Sequence, residues 1–174
     1  MAAGKNYTAQ KLCQSGHFVS IDLDETVHAA IQNATPQILA AFSEPAELAG
    51  IKLQNADGSL DRRALGKLVF SSPELLARQE SLVYPETVRL TKQFIEQNKG
   101  TNILINATVL YKTPQLLELC TKIFYVKAPF LTRLVRAKKR DRLPLRQILK
   151  RFCAQKKLLA EYKKTGLPII FIKN

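Results

Sequence analysis

Three groups of residues in this chain have the types and spacing to do chemistry: Gly4-Lys5, the aspartate pair Asp22 and Asp24, and the arginines Arg136 and Arg140. All three suit a phosphorylated ligand. Backbone N–H groups at a helix N-terminus cradle phosphate oxygens, a lysine reaches the β and γ phosphates, and a neighbouring hydroxyl assists magnesium. Ala3-Gly4-Lys5 supplies the closing end of such a loop, with Asn6 where the hydroxyl residue would stand. An amide oxygen there is a weaker, neutral ligand for the metal or its water. Taken alone, Gly4-Lys5 reads equally well as a helix-entry glycine beside a solvated lysine. Asp22 and Asp24 alternate at the end of an apolar run, so an extended strand would turn both to one side; either is also a good helix cap. Arg136 and Arg140, four apart, share one helix face.

The charge pattern agrees with an anionic partner. The 174 residues carry 27 Lys and Arg against 14 Asp and Glu, a net charge of +13. Much of the excess lies in KAPFLTRLVRAKKRDRLPLRQILKRFCAQKK, whereas residues 18–60 are neutral to acidic. Charge by itself does not separate a phosphorylated small molecule from nucleic acid or an acidic membrane. No helix-turn-helix, zinc-finger or RNP-like pattern is present, and the basic stretch lacks interleaved aromatics, so no specific nucleic acid is expected. No apolar run approaches the roughly 20 residues that span a bilayer, and the N-terminus lacks a secretory pattern. A soluble, cytoplasmic protein without membrane partners is expected. Cys13, Cys120 and Cys153 are scattered and form no metal-ligand spacing, so they read as reduced thiols. His17 and His28 likewise have no ligand pair nearby.

The elements that must position these residues alternate. A short helix over Tyr7–Gly16, closed by its glycine, leads to the strand HFVSIDLD. ETVHAAIQNATPQILAAF suggests two helical pieces broken near Pro36. A turn at Asp57-Gly58 precedes a helix starting near Ser59 or Leu60. SSPELL opens a serine-capped helix, a longer amphipathic helix begins near Pro85, and Gly100 ends it. TNILINATVL and KIFYVKAP read as strands flanking the helical TPQLLELC. LTRLVRAKKRDRLPLRQILKRFCAQKKLLAEYKKTG is helical and basic with an interruption near Leu143-Pro144, and LPIIFIKN makes a last strand. Strand, helix and strand in turn predict a three-layer α/β fold with a mostly parallel sheet. Ligands in such folds bind beyond the carboxyl ends of the strands.

Over nearly its whole length the chain resembles the dephospho-coenzyme A kinase family, P-loop kinases related to nucleoside monophosphate kinases. IDLDETVH is similar to I-D-A-D-x-x-A-H through Asp22, Asp24 and His28. DGSLDRRALGKLVF is close to D-G-x-L-D-R-x-x-L-x-x-x-V-F. VYPETV takes the place of H-P-x-I, NATVLY that of P-L-L-F-E, RAKKRD that of R-x-x-x-R-D, and RFCAQ that of R-x-x-x-Q. The terminal IKN resembles the start of I-x-N-x-G. The departures are Asn6, Tyr84 for the usual histidine, Ala107 for the proline and Tyr111 for the acidic residue.

The resemblance implies a single domain with a core over about 1–30, 100–130 and 165–174, an acceptor-binding helical region over about 31–99, and a basic helical lid over about 131–164. It implies ATP as phosphoryl donor, Mg2+, and transfer to the ribose 3'-hydroxyl of dephospho-CoA; a fold that binds nucleotide or CoA without efficient transfer is the first alternative, and a basic nucleic-acid-binding protein the second. Lys5, Asp24 and Arg140 would be catalytic, with Asp24 as base. Ala2, Ala3, Gly4, Lys5, Asn6, Tyr7, Arg136, Arg140 and Asn174 would bind ATP. Asp22, Asp24, His28, Arg62, Tyr84 and Gln155 would hold the acceptor, and Asn6 and Asp22 would handle the metal through water. Since the family's loop has a first glycine and a feeding strand ahead of AAGK, Met1 is expected to be an internal or mis-chosen start.

Overall fold

The computed structural model describes all residues, 1–174, and the chain folds as two compact units, Asp22–Gln97 and the remainder, Met1–Ile21 with Asn98–Asn174.

The discontinuous unit carries the strands. Helix α1 (Lys5–Gln14) starts after Gly4 and stops before Gly16, whose φ of 77° is the left-handed geometry expected of a helix-ending glycine. Strand β1 (Phe18–Asp22) pairs with β2 (Asn102–Asn106), and β3 (Ile123–Lys127) pairs in parallel with β4 (Ile169–Lys173), in register from Ile123 opposite Ile169 to Lys127 opposite Lys173. Parallel pairing with helical crossovers is the α/β class the sequence predicts. The hydrogen-bonded ladder is nevertheless in two pieces, not one sheet. Side chains bridge them: the Phe18 and Phe124 rings meet edge to face at 6.4 Å between centroids.

Beyond β2 the chain makes a 3₁₀ turn (Leu110–Lys112) and the short helix α6 (Pro114–Leu117). The basic segment folds as α7 (Phe130–Asp141), α8 (Leu145–Ala154) and α9 (Leu158–Lys163), and the break before Pro144 falls where expected. Ala137, Ile148 and Phe152 form a small core under α7 and α8, into which Met1, Ala2, Leu134 and Leu143 pack. Most of the remaining side chains of both helices are exposed, charged ones together with Phe130, Leu131, Val135, Leu145 and Leu149.

Unit 22–97 is helical. Helix α2 (Leu23–Asn33) and α3 (Thr35–Leu48) meet at Ala34, with Pro36 in the first turn of α3, so the predicted break is present. Residues 54 and 60 bridge across the Asp57-Gly58 turn. Helix α4 (Arg62–Val69) then begins later than Ser59, because Asp61 accepts from the N–H groups of Arg63 and Ala64 and so sets the cap. Helix α5 (Pro73–Gln97) is one helix through Pro85, contrary to the expected restart there. Pro85 is exposed, so water reaches the carbonyl its missing N–H leaves, while Val83, Thr87 and Thr91 bury the opposite face. The two threonine hydroxyls are satisfied by the carbonyls of Val83 and Thr87 at 2.9 and 2.8 Å. Ile38, Phe42, Leu65, Leu68, Val69 and Val83 centre a core to which α2, α3, α4 and α5 all contribute.

Candidate active site

Gly4 sets the geometry at the start of α1. Its φ of 92° and ψ of 27° are left-handed, and the helical Lys5 follows. A left-handed residue followed by a right-handed one turns successive N–H groups to one side, the concavity that binds anions. The first intrahelical bond runs from the Thr8 N–H to the Gly4 carbonyl at 2.9 Å. The N–H groups of Lys5, Asn6 and Tyr7 therefore lie in the turn where a helix has no partner of its own to offer. The Nζ of Lys5 is shielded from solvent. Tyr7 is 60% exposed.

Several expected nucleotide residues gather here. A Cβ on Gly4 would lie 1.7 Å from Asn174 Nδ2 and 3.5 Å from an Arg136 guanidinium nitrogen, so both side chains overlie the glycine. Asn174 Nδ2 donates to the Ala3 carbonyl at 3.0 Å. The Met1 amino group donates to Gln155 Oε1, which places Gln155 against Met1 in the strand-bearing unit. Burial, with Arg133 and Arg140 adding repulsion, pushes that amine down to about 6. Arg140 points to its own helix end, with Nε 2.7 Å from Asp141 Oδ1, and Arg151 approaches the other oxygen of Asp141 at 3.6 Å. The hydrogen bond from Arg140 is the main cause holding the Asp141 carboxyl below its ordinary range.

The aspartates differ from the sequence expectation. The strand ends at Asp22, and helix α2 begins at Leu23. Asp22 and Asp24 are therefore not alternate residues of one strand: Asp22 caps the helix, its Oδ1 accepting the Asp24 N–H at 2.9 Å. Asp24 lies in the first helical turn with an exposed side chain, and His28, one turn further, is exposed too. In the same unit Arg62 and Arg63 open α4 with exposed side chains, and Tyr84 is half-buried on α5.

Four residues escape the sequence reading. Asn106 is buried at the end of β2 and donates through Nδ2 to Asn6 Oδ1 at 3.2 Å. Arg133 Nε donates to the Met1 carbonyl at 2.9 Å with its guanidinium 4.7 Å from the Phe152 ring centroid. Asp141 organises two arginines. The hydroxyl of buried Tyr162 accepts from the Leu110 N–H at 2.9 Å and donates to the Thr108 carbonyl at 3.1 Å, bracing the NATVLY segment. Only Asp141, inside RAKKRD, and Asn106, a polar end to an apolar strand, have a signal in sequence.

No three His, Cys, Asp or Glu side chains cluster to hold a metal. One lone pair of the Asn6 oxygen is already engaged by Asn106, and Asp22 Oδ1 is engaged as a cap.

A glycine-opened helix above parallel strands, followed by a basic helical hairpin, defines the class: this is a P-loop kinase fold. Two solved structures share it. TT1252 from Thermus thermophilus superposes with a TM-score of 0.79 at 27% identity, covering 100% of this chain and 84% of that one. The dephospho-CoA kinase from Campylobacter jejuni gives 0.68 at 22% identity with the same coverage. The particular family follows from sequence. The dephospho-CoA kinase family model, CoaE, matches residues 1–173, and the dephospho-CoA kinase of Treponema denticola is 39% identical over 177 residues, spanning 99% of this chain and 78% of that protein. The chain belongs to the dephospho-CoA kinase family.

Proposed function

We propose that this protein transfers the γ-phosphoryl group of ATP to the ribose 3'-hydroxyl of dephospho-CoA, giving CoA and ADP. The observation that carries the reading is the family match over residues 1–173, with the glycine-opened turn of Gly4-Lys5 retained at the start of α1.

In this reading residues 2–7 hold the ATP phosphates. The N–H groups after Gly4 face the phosphate oxygens, and the Lys5 ammonium offsets charge on the β and γ groups. Arg136 and Asn174, both against Gly4, border the same nucleotide. The acceptor oxygen attacks the γ phosphorus as the bond to the β-bridging oxygen breaks, and Asp24 takes the hydroxyl proton. Asp22, His28, Arg62 and Tyr84 hold the acceptor, with the guanidinium of Arg62 on an anionic group. Gln155, bonded to Met1, supports the loop from α8. Residues 131–164 act as the lid, and Arg140 reaches the transferring group after releasing Asp141, which Arg151 retains. Mg2+ is expected as the counterion carried by ATP's own phosphate oxygens. No helix is long and apolar enough to cross a membrane, and a cytoplasmic place fits the soluble substrates.

The test is to incubate the protein with ATP, Mg2+ and dephospho-CoA and to follow ADP and CoA together. Stoichiometric formation of both, lost in Lys5→Ala, is expected. ADP without CoA would sink the acceptor assignment, and product unaffected by Lys5→Ala would sink the role of the loop.

A further inference from the structure

Asn6 stands where a phosphate loop places a hydroxyl beside the metal, and its side chain is already held by a second amide. Asn106 closes β2 and is buried, and its Nδ2 donates to Asn6 Oδ1 at 3.2 Å. An amide has one acceptor end and one donor end. Asn106 takes one of the two lone pairs of the Asn6 oxygen and so turns the NH2 group the other way, toward a ligand. A dication on the same oxygen would sit beside the partial positive charge of the Asn106 NH2 group, and Mg2+ gives up water reluctantly even for charged oxygens. The surroundings point the same way. Lys5 precedes Asn6, Arg136 overlies Gly4, and Arg133 is bonded to the Met1 carbonyl. Such a neighbourhood attracts phosphate oxygens and repels a cation.

We infer that Asn6 meets the nucleotide as a hydrogen-bond donor, its Nδ2 on a phosphate oxygen, and is not a magnesium ligand, and that Asn106 is the positioning residue that fixes this orientation. This replaces the metal role expected for Asn6 from sequence. It rests on the nucleotide-binding part of the reading above.

The probe is ATP itself, titrated calorimetrically in EDTA and again with excess Mg2+. For Asn6→Ala, metal-free affinity falls about 10–100-fold, the size of one charge-assisted hydrogen bond. The gain in affinity on adding Mg2+ stays as in the parent. Asn106→Asp presents only acceptors to Asn6, so the amide turns over and directs its oxygen outward. Metal-free affinity then falls at least as far, and the gain from Mg2+ grows. Unchanged metal-free affinity in Asn6→Ala, or an Mg2+ gain that shrinks in that variant, overturns the inference while leaving the nucleotide reading intact. Unchanged behaviour in Asn106→Asp overturns the positioning role. Failure of the parent protein to bind ATP under either condition overturns the nucleotide reading, and this inference with it.

Discussion

The side chain of Asn174 fills the space beside Gly4: its Nδ2 lies 1.7 Å from where a Cβ on Gly4 would be and donates to the Ala3 carbonyl at 3.0 Å. Alanine at position 4 therefore meets two penalties, the left-handed φ of 92° and the displacement of Asn174 from its hydrogen bond. Together they cost about 1–3 kcal/mol. Gly4→Ala is expected to lower the urea midpoint accordingly and to weaken ATP binding. Adding Asn174→Ala removes the collision but not the backbone strain, so the double variant loses less than the two single losses combined.

Asp24 should separate binding from chemistry. Its side chain is exposed and it is Asp22, not Asp24, that caps α2, so Asp24→Asn leaves the helix cap in place. The expected result is a fall in kcat of about 10²-fold or more, with KM for dephospho-CoA within a few-fold of the parent. Asp22→Ala, by contrast, removes the oxygen that caps α2 and is expected to lower thermal stability.

Tyr162 gives an alkaline signature. Burial pushes its hydroxyl up to about 12. A group whose folded pKa is raised contributes stability that is fully present below the unfolded value near 10 and is lost as pH rises toward 12. Tyr162→Phe removes that slope and leaves the buried end of the Leu110 N–H without its acceptor, at a cost of about 1–3 kcal/mol near neutrality. Urea unfolding at pH 8, 10 and 11 measures both, and equal pH dependence in parent and variant would contradict the assignment.

Glu86 gives the acid counterpart. Hydrogen bonds from Arg89 at 2.7 and 2.8 Å, and from Asn33 at 2.7 Å, hold its carboxyl down at about 2. A depressed folded pKa means stability present above the ordinary value near 4.5 and lost as pH falls toward 2. The difference in thermal midpoint between the parent and Glu86→Gln should be constant above about pH 5 and vanish near pH 2. Because Arg89 is largely exposed, that difference should also shrink in high salt.

The order of elements is legible in the sequence because it rests on local signals: the glycine after α1, the Pro36 break, the gap before Pro144 and the β-branched strands. Two boundaries differ from the sequence reading where a longer-range cause decides them. Pro85 does not interrupt α5, since the helix is held by a face packed on α2 and α4 that a local rule does not see. Asp22 and Asp24 read as strand residues because they alternate with the apolar Ile21 and Leu23, while the cap that starts α2 is a single side-chain contact. At the candidate site the charged residues are visible through their motif spacing. The contacts that orient them are not, because Asn6 with Asn106 and Met1 with Arg133 and Gln155 join residues at least 100 positions apart.

The partition of the chain into a continuous and a discontinuous unit has a consequence for synthesis. Residues 22–97 contain every partner of their own core, so they can fold as soon as α5 has left the ribosome. The strand-bearing unit has to wait twice: β1 gains its neighbour only when β2 is made, and β3 gains its only strand neighbour when the chain reaches Ile169–Lys173. The helical insert should therefore be protected from protease on nascent chains that are still unable to hold nucleotide, and the phosphate-loop end of the molecule should mature after the insert although it is translated ahead of it.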